Sequence, residues 1–187
     1  MALGNERLTA GAAAVLLILL TVEGVTIVFL RQLMSVHLFV GALLIPPVLL
    51  KLGSTGYRFV RYYAGDSVYR AKGPPPALLR ALGPFVVVLT LLVFASGIAL
   101  MVAGPSAKGA LLPIHKIGFI VWVAFIGMHV VGHVLELPSA VRADLGRDAD
   151  VPGRSLRWML LGVALGGGVG LGAWALSYAG PWLNTFN

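Results

Sequence analysis

Apolar residues fill five long stretches of the chain, and polar residues are concentrated between them. Each stretch comes close to or exceeds the roughly 20 residues that an α-helix needs to cross a bilayer. The pattern therefore predicts an all-α integral membrane protein with five transmembrane helices. The predicted helices cover 8–30, 36–52, 78–103, 112–137 and 158–179.

The first stretch has the position of a signal peptide, but we expect a retained helix. It is longer than a signal peptide, contains Glu23 and lacks a clear cleavage site of small residues. Residues 1–187 then form a single membrane domain. Within it, 8–137 form a four-helix bundle, 138–157 a cytoplasmic loop, and 158–187 a fifth helix with an outer C-terminus.

Composition agrees with the hydropathy pattern. Apolar residues make up 58% of the chain and charged residues 11%, whereas soluble domains carry about a quarter charged residues. The chain has no cysteine, which excludes disulfides and thiolate metal sites. Its net charge of +7 indicates basic cytoplasmic loops, and we expect no nucleic-acid partner.

Basic residues predict how the helices are oriented. Residues 51–80 contain six of them and 138–157 contain four, whereas the opposite side has little more than Arg31, Lys108 and Lys116. Because basic loops stay in the cytoplasm, we expect both long loops there. The expected location is a bacterial-type plasma membrane, with a cytoplasmic N-terminus and an external C-terminus. The tyrosines and arginines of 51–76 favour a segment lying along the membrane surface over one that docks a partner.

Stretches one and two resemble stretches three and four in where their polar residues fall. Each half has a glycine in its first helix, a histidine just inside its second, and a basic residue fourteen positions later. The matched pairs are Gly24 with Gly97, His37 with His115, and Lys51 with His129. Internal repeats are common among membrane proteins, so the repeat by itself does not identify the chemistry.

The fourth stretch, "LLPIHKIGFIVWVAFIGMHVVGHVLEL", carries three histidines. Fourteen residues advance a helix by about 21 Å and return within roughly 40° of the starting direction. His115, His129 and His133 therefore share one face, as do His37 and Lys51 on the second helix. Intramembrane ionisable residues are costly and are by default candidates for function.

His37 and His115 are expected at the same depth on two helices that run in the same direction. Two imidazoles facing each other across a gap suit a six-coordinate haem iron, and without cysteine the haem would be non-covalent haem b. Glycines on these helices and their neighbours leave room for a macrocycle. They are Gly24, Gly41, Gly97 and Gly118.

The inner end allows several interpretations. His129 is the favoured ligand of a second haem, with Lys51 as the tentative opposite ligand and His133 as a substitute. A lysine at a helix end more often extends to the headgroups. The two histidines also suit zinc or another divalent ion, for which only Glu136 and Asp144 are close in sequence.

These features resemble the transmembrane b-type cytochromes of the four-helix di-haem type, the haem-bearing anchor subunits of quinone-linked oxidoreductases. The resemblance rests on the fourteen-residue spacing of His115 and His129, on "SGIAL" in the preceding helix and on the repeat carrying His37. It implies electron transfer through haem b between a quinone pool and a redox partner protein. Members commonly have four axial histidines, and here Lys51 replaces one of them.

Glu23 is the remaining intramembrane charge. It is a candidate proton relay, although a neutral carboxyl hydrogen-bonded to a neighbouring helix is slightly favoured. In the fifth stretch, Gly162, Gly166 and Gly170 are spaced for close packing, either on the bundle or in a homo-oligomer.

Two other functions fit the same residues. One is a haem-free transporter or channel in which the histidines and Glu23 relay protons. The other is a structural membrane subunit of a larger complex. The sequence does not decide whether the chain itself is an enzyme, an electron-transfer protein or the cytochrome subunit of an oxidoreductase.

Overall fold

The computed structural model of the chain describes residues 2–71, 73, 77–134 and 152–185. In these ranges the protein is helical, with short turns and no strand. Short 3-10 turns lie at Pro105–Ala107 and Leu176–Tyr178. The helices are α1 (Ala2–Val28), α2 (Leu30–Leu43), α3 (Ile45–Tyr63), α4 (Ser67–Arg70), α5 (Ala77–Ala103), α6 (Lys108–Val134), α7 (Arg154–Ala175) and α8 (Ala179–Leu183).

Five helical segments are long and apolar enough to cross a membrane, as predicted. They are Leu3–Val28, Leu30–Tyr63, Ala77–Ala103, Pro105–His133 and Arg154–Leu183. Large apolar side chains on their outer surfaces are exposed, for example Ile18, Ile120 and Val131. In water such surfaces would be unfavourable, whereas in a bilayer they face lipid tails of similar polarity. The fold is that of a multi-pass membrane protein.

The second segment is longer than the predicted 36–52. It consists of α2 and α3, joined at Leu44, and Pro46 and Pro47 lie in the first turn of α3, where a missing N–H breaks no helical bond. The boundary between α2 and α3 falls at Leu44, two residues before Pro46. The prediction that the helix ends at Leu52 is wrong, because α3 continues to Tyr63. The second half of α3 is amphipathic, and because its polar face lowers the hydropathy of this part of the chain, it was predicted to be a loop.

The helices form two groups. One is the hairpin of α5 and α6, and the other contains α1, α2, α3 and α7. Apolar clusters join the groups near the α1–α2 and α5–α6 turns, where Leu100 and Met101 of α5 meet residues of α2, α7 and α8. We call this the outer end, after the orientation predicted from charge. Helices α2 and α6, which carry the histidines, are not among the pairs with extensive backbone contact.

Of the two packing modes expected for the glycines of α7, packing on the bundle does not involve Gly162, Gly166 and Gly170, and packing in a homo-oligomer stays a prediction. Gly162, Gly166 and Gly170 do not face the bundle, and a Cβ atom on any of them would meet nothing within 4 Å. Gly168 and Gly172 make the close approach instead. A Cβ on Gly168 would lie 2.5 Å from the carbonyl oxygen of Leu43, and one on Gly172 would lie 2.8 Å from the Phe39 ring.

Candidate functional site

The two outer histidines are half-buried and lie on the two helix groups. His37 is on α2, and its Nδ1 lies 2.9 Å from Oε1 of Glu23 and 3.0 Å from Oγ1 of Thr26, both on α1. The Thr26 hydroxyl donates to the Glu23 backbone carbonyl at 2.6 Å, so its proton is already engaged. The His37 ring therefore has two oxygen atoms on the preceding helix that accept from Nδ1.

His115 on α6 has a matching arrangement. Its Nδ1 lies 3.0 Å from Oγ of Ser96 on α5. The Ser96 hydroxyl donates to the carbonyl of Leu92 at 2.7 Å, which leaves its oxygen to accept from the ring. Gly97 gives the ring its space, because a Cβ there would lie 3.1 Å from Cε1 of His115.

These contacts favour the same tautomer in both rings. If Nδ1 carries the proton and donates it, Nε2 has a free lone pair. Metal-binding histidines generally donate their second ring nitrogen to a carboxylate, a carbonyl or another acceptor, which fixes the orientation of the ring. His37 and His115 both have such a contact at Nδ1, an arrangement that would leave Nε2 to bind a metal.

The two rings are within electrostatic range of each other. His115 interacts electrostatically with His37 and with Glu23, although the helices that carry the two histidines are not closely packed. Two imidazoles across a gap between helices are the donor set that a six-coordinate haem requires. The outer residues therefore fit haem b.

The four glycines expected to make room for a macrocycle have different surroundings. Gly41 and Gly97 adjoin the site, since a Cβ on Gly41 would lie 3.4 Å from Oε1 of Glu23. Gly118 packs against Leu92, and Gly24 has nothing within 4 Å of its Cβ position. Two of the four glycines thus contribute space at the histidine pair.

The inner residues are arranged differently. The Lys51 amine donates to the carbonyl oxygen of Thr9 on α1 at 3.0 Å, in a polar group that includes Ser54. His129 Nδ1 is buried and makes no hydrogen bond within the described part of the chain. His129 and His133 have ring centroids 4.9 Å apart, and His129 interacts electrostatically with Lys51. Lys51 and His129 are therefore within electrostatic range of each other, but neither has the support found at the outer pair.

Among the described residues, no group of three or more histidine, cysteine, aspartate or glutamate side chains is placed to hold an ion. Glu136 and Asp144, which were considered as further zinc ligands, lie outside the described residues. A haem needs only two axial ligands from the protein, so the haem prediction does not depend on such a group.

The sequence alone did not reveal the residues that orient the rings. Thr26 and Ser96 are common helix residues whose hydroxyls usually bond to their own helix. The repeat contained a usable signal, because Glu23-Gly24 aligns with Ser96-Gly97. Each oxygen-bearing side chain precedes the matched glycine by one residue, and both contact a histidine on the next span.

No protein-family model, curated protein or solved structure matches this chain. The arguments about function therefore depend on the residues and their geometry.

Proposed function

We propose that the protein is a membrane b-type cytochrome that passes electrons between a quinone pool and a redox partner protein. His37 and His115 would be the axial ligands of a haem b at the outer end. The observation that carries the proposal is the matched support of the two rings, in which each Nδ1 contacts an oxygen on the preceding helix. If the two histidines only packed the helices together, nothing would require both rings to make the same Nδ1 contact and to keep Nε2 available as a ligand atom.

The chain would position the haem, set the electrostatic surroundings of its iron and exclude water from the site. Haem b supplies one-electron chemistry through its iron when it is bound. Glu23 and Ser96 would hold the ligand rings, and an ionised Glu23 would be the stronger acceptor because charge-assisted hydrogen bonds are stronger than neutral ones. Buried Met34 and Leu100 keep water from the outer side of the site.

A second haem at the inner end stays a prediction, with His129 as its favoured ligand and Lys51 as the opposite one. The nearness of Lys51 and His129 supports it. As a ligand, Lys51 would have to be neutral and to give up its bond to Thr9. The matched contacts that support the outer haem have no counterpart here.

A haem-free proton-coupled transporter is the second candidate. It is favoured by one observation, the hydrogen-bonded group of Glu23, Thr26 and His37 within the membrane. Carboxyl and imidazole groups in contact are the usual parts of a proton relay. This candidate predicts a colourless protein, whereas the cytochrome is red.

Haem content tests the proposal directly. We expect the protein purified in detergent to contain at least one haem b per chain, with a low-spin spectrum that changes when a quinol or dithionite reduces it. His37→Ala and His115→Ala should each remove the outer haem signal. Lys116→Ala, which alters an exposed neighbour of His115, is the matched control and should keep it. A colourless wild-type protein from haem-replete cells would contradict the proposal and favour the transporter.

A further inference from the structure

Trp182 closes the outer end of the bundle. It belongs to α8, the short helix that follows α7, and only 6% of its surface is exposed. Its indole packs in one cluster with Met34 of α2 and Leu100 of α5, and Leu111 and Leu112 of α6 lie against the same cluster. The last helix of the chain thus places a tryptophan between the two helix groups.

This cluster lies one helical turn outward from the candidate haem ligands. Met34 precedes His37 by three residues, and Leu111 precedes His115 by four. At 1.5 Å per residue, these steps correspond to about 4.5 and 6 Å along the helices. The indole is therefore on the outer side of the histidine pair.

The indole N–H of Trp182 has no hydrogen-bond acceptor among the described residues. Nε1 of Trp182 is buried, and none of the described residues accepts a hydrogen bond from it. Tryptophan in membrane proteins normally places its N–H at the wet interface, and Trp158 and Trp174 of α7 are about half exposed. A buried N–H without a partner is costly in a bilayer, where water does not replace the missing acceptor.

We propose that the Trp182 indole N–H donates a hydrogen bond to a propionate carboxylate of the haem held by His37 and His115. The inference rests on the proposed function. Haem b carries two carboxylates on one edge of its macrocycle, and in a low-dielectric site each needs a hydrogen-bond donor. A bond from an N–H to a charged carboxylate is about twice as strong as a neutral one.

The inference gives a role to the part of the chain beyond the four-helix bundle. Gly168 and Gly172 bring α7 close to α2, and α8 then turns Trp182 over the site. Helix α7 thus positions α8, whose Trp182 supplies a hydrogen-bond donor to the haem edge. A donor at that edge also favours one of the two ways in which the macrocycle can be inserted.

Ultraviolet resonance Raman spectroscopy of the indole N–H tests the inference. The signal of Trp182 is obtained as the difference between the wild type and Trp182→Phe, in protein purified with haem and in protein from haem-deficient cells. Trp174→Phe, at an exposed position, is the matched control. If Trp182→Phe does not accumulate, replacing Trp122, Trp158 and Trp174 with Phe leaves Trp182 as the single indole to observe.

We expect a hydrogen-bonded Trp182 signal with haem and an unbonded one without it, while the Trp174 signal is the same in both. A Trp182 signal that haem does not change would overturn the inference. So would a hydrogen-bonded signal that appears only when a quinone is added to haem-free protein. A wild-type protein that binds no haem would overturn the proposed function as well, whereas a low-spin haem with an unchanged Trp182 signal would overturn this inference alone.

Discussion

The two outer histidines differ in the acceptor that holds each ring. His37 faces a carboxylate, and His115 faces a hydroxyl. A stronger acceptor on Nδ1 gives the ring more imidazolate character and makes Nε2 a better electron donor. Such a ligand stabilises ferric iron more than ferrous iron. In the proposed cytochrome, an ionised Glu23 on α1 would therefore lower the reduction potential of the haem more than Ser96 on α5 would.

Glu23→Gln should raise the midpoint potential of the outer haem, since an amide oxygen is a weaker acceptor than a carboxylate. Affinity for haem should also fall, by about 10-fold. Redox titration of the purified protein measures the potential. Ser96→Ala is the comparison in the other half and should give a smaller rise. A larger rise for Ser96→Ala than for Glu23→Gln would contradict this assignment of acceptor strengths.

The inner residues make a separate prediction about haem number. A second haem held by His129 and Lys51 gives two haems per chain, and His129→Ala and Lys51→Ala should each reduce that number to one. The pyridine haemochrome of each purified variant measures the haem per chain and so decides between one haem and two. A ratio near one that neither substitution changes would reject the inner haem and leave Lys51 bonded to Thr9.

At the scale of single residues, the sequence was sufficient to single out the ionisable candidates. Histidine, glutamate and lysine inside apolar stretches are conspicuous because each is costly in a bilayer. The hydroxyl groups that contact the histidines and the buried indole could not be predicted from the cost of burying an ionisable group. Thr26, Ser96 and Trp182 are ordinary residues in membrane helices, and only the packing of helices shows which groups they meet.

At the scale of helices, hydropathy located all five membrane segments but not the way the last one packs. Helix α7 has glycines on more than one face, so their spacing alone does not decide which face is buried. The structure buries Gly168 and Gly172, where an added Cβ would meet Leu43 and Phe39. Those partners lie far away in sequence, and for that reason the buried face was not predictable.

Gly168→Ala should destabilise the protein by about 1–3 kcal/mol, the usual cost of overpacking a well-packed contact. The reason is that the new methyl group would meet the Leu43 backbone, which has little freedom to move. Thermal unfolding in detergent measures the effect. Gly166→Ala, on the exposed face of the same helix, should be close to neutral. Equal losses for the two substitutions would show that α7 packs through a different face.

At the scale of the whole molecule, the charge distribution sets the expected orientation in the membrane. The chain has no cysteine, so each introduced cysteine is a single label site. Ser67→Cys, in the basic segment between α3 and α5, should be protected from a membrane-impermeant thiol reagent in intact cells. Lys108→Cys, at the start of α6, should be labelled. The reverse pattern would invert the topology and place the outer histidine pair at the cytoplasmic side.

The central claim is that His37 and His115 ligate the same haem iron. Near-infrared magnetic circular dichroism of the oxidised protein tests it most directly, because the position of the charge-transfer band distinguishes two imidazole ligands from an imidazole and an amine. We expect a bis-imidazole band that disappears in His37→Ala and in His115→Ala but remains in His129→Ala and Lys51→Ala. A bis-imidazole band that survives both outer substitutions, or its absence from the haem-loaded wild type, would show that His37 and His115 do not ligate one haem iron.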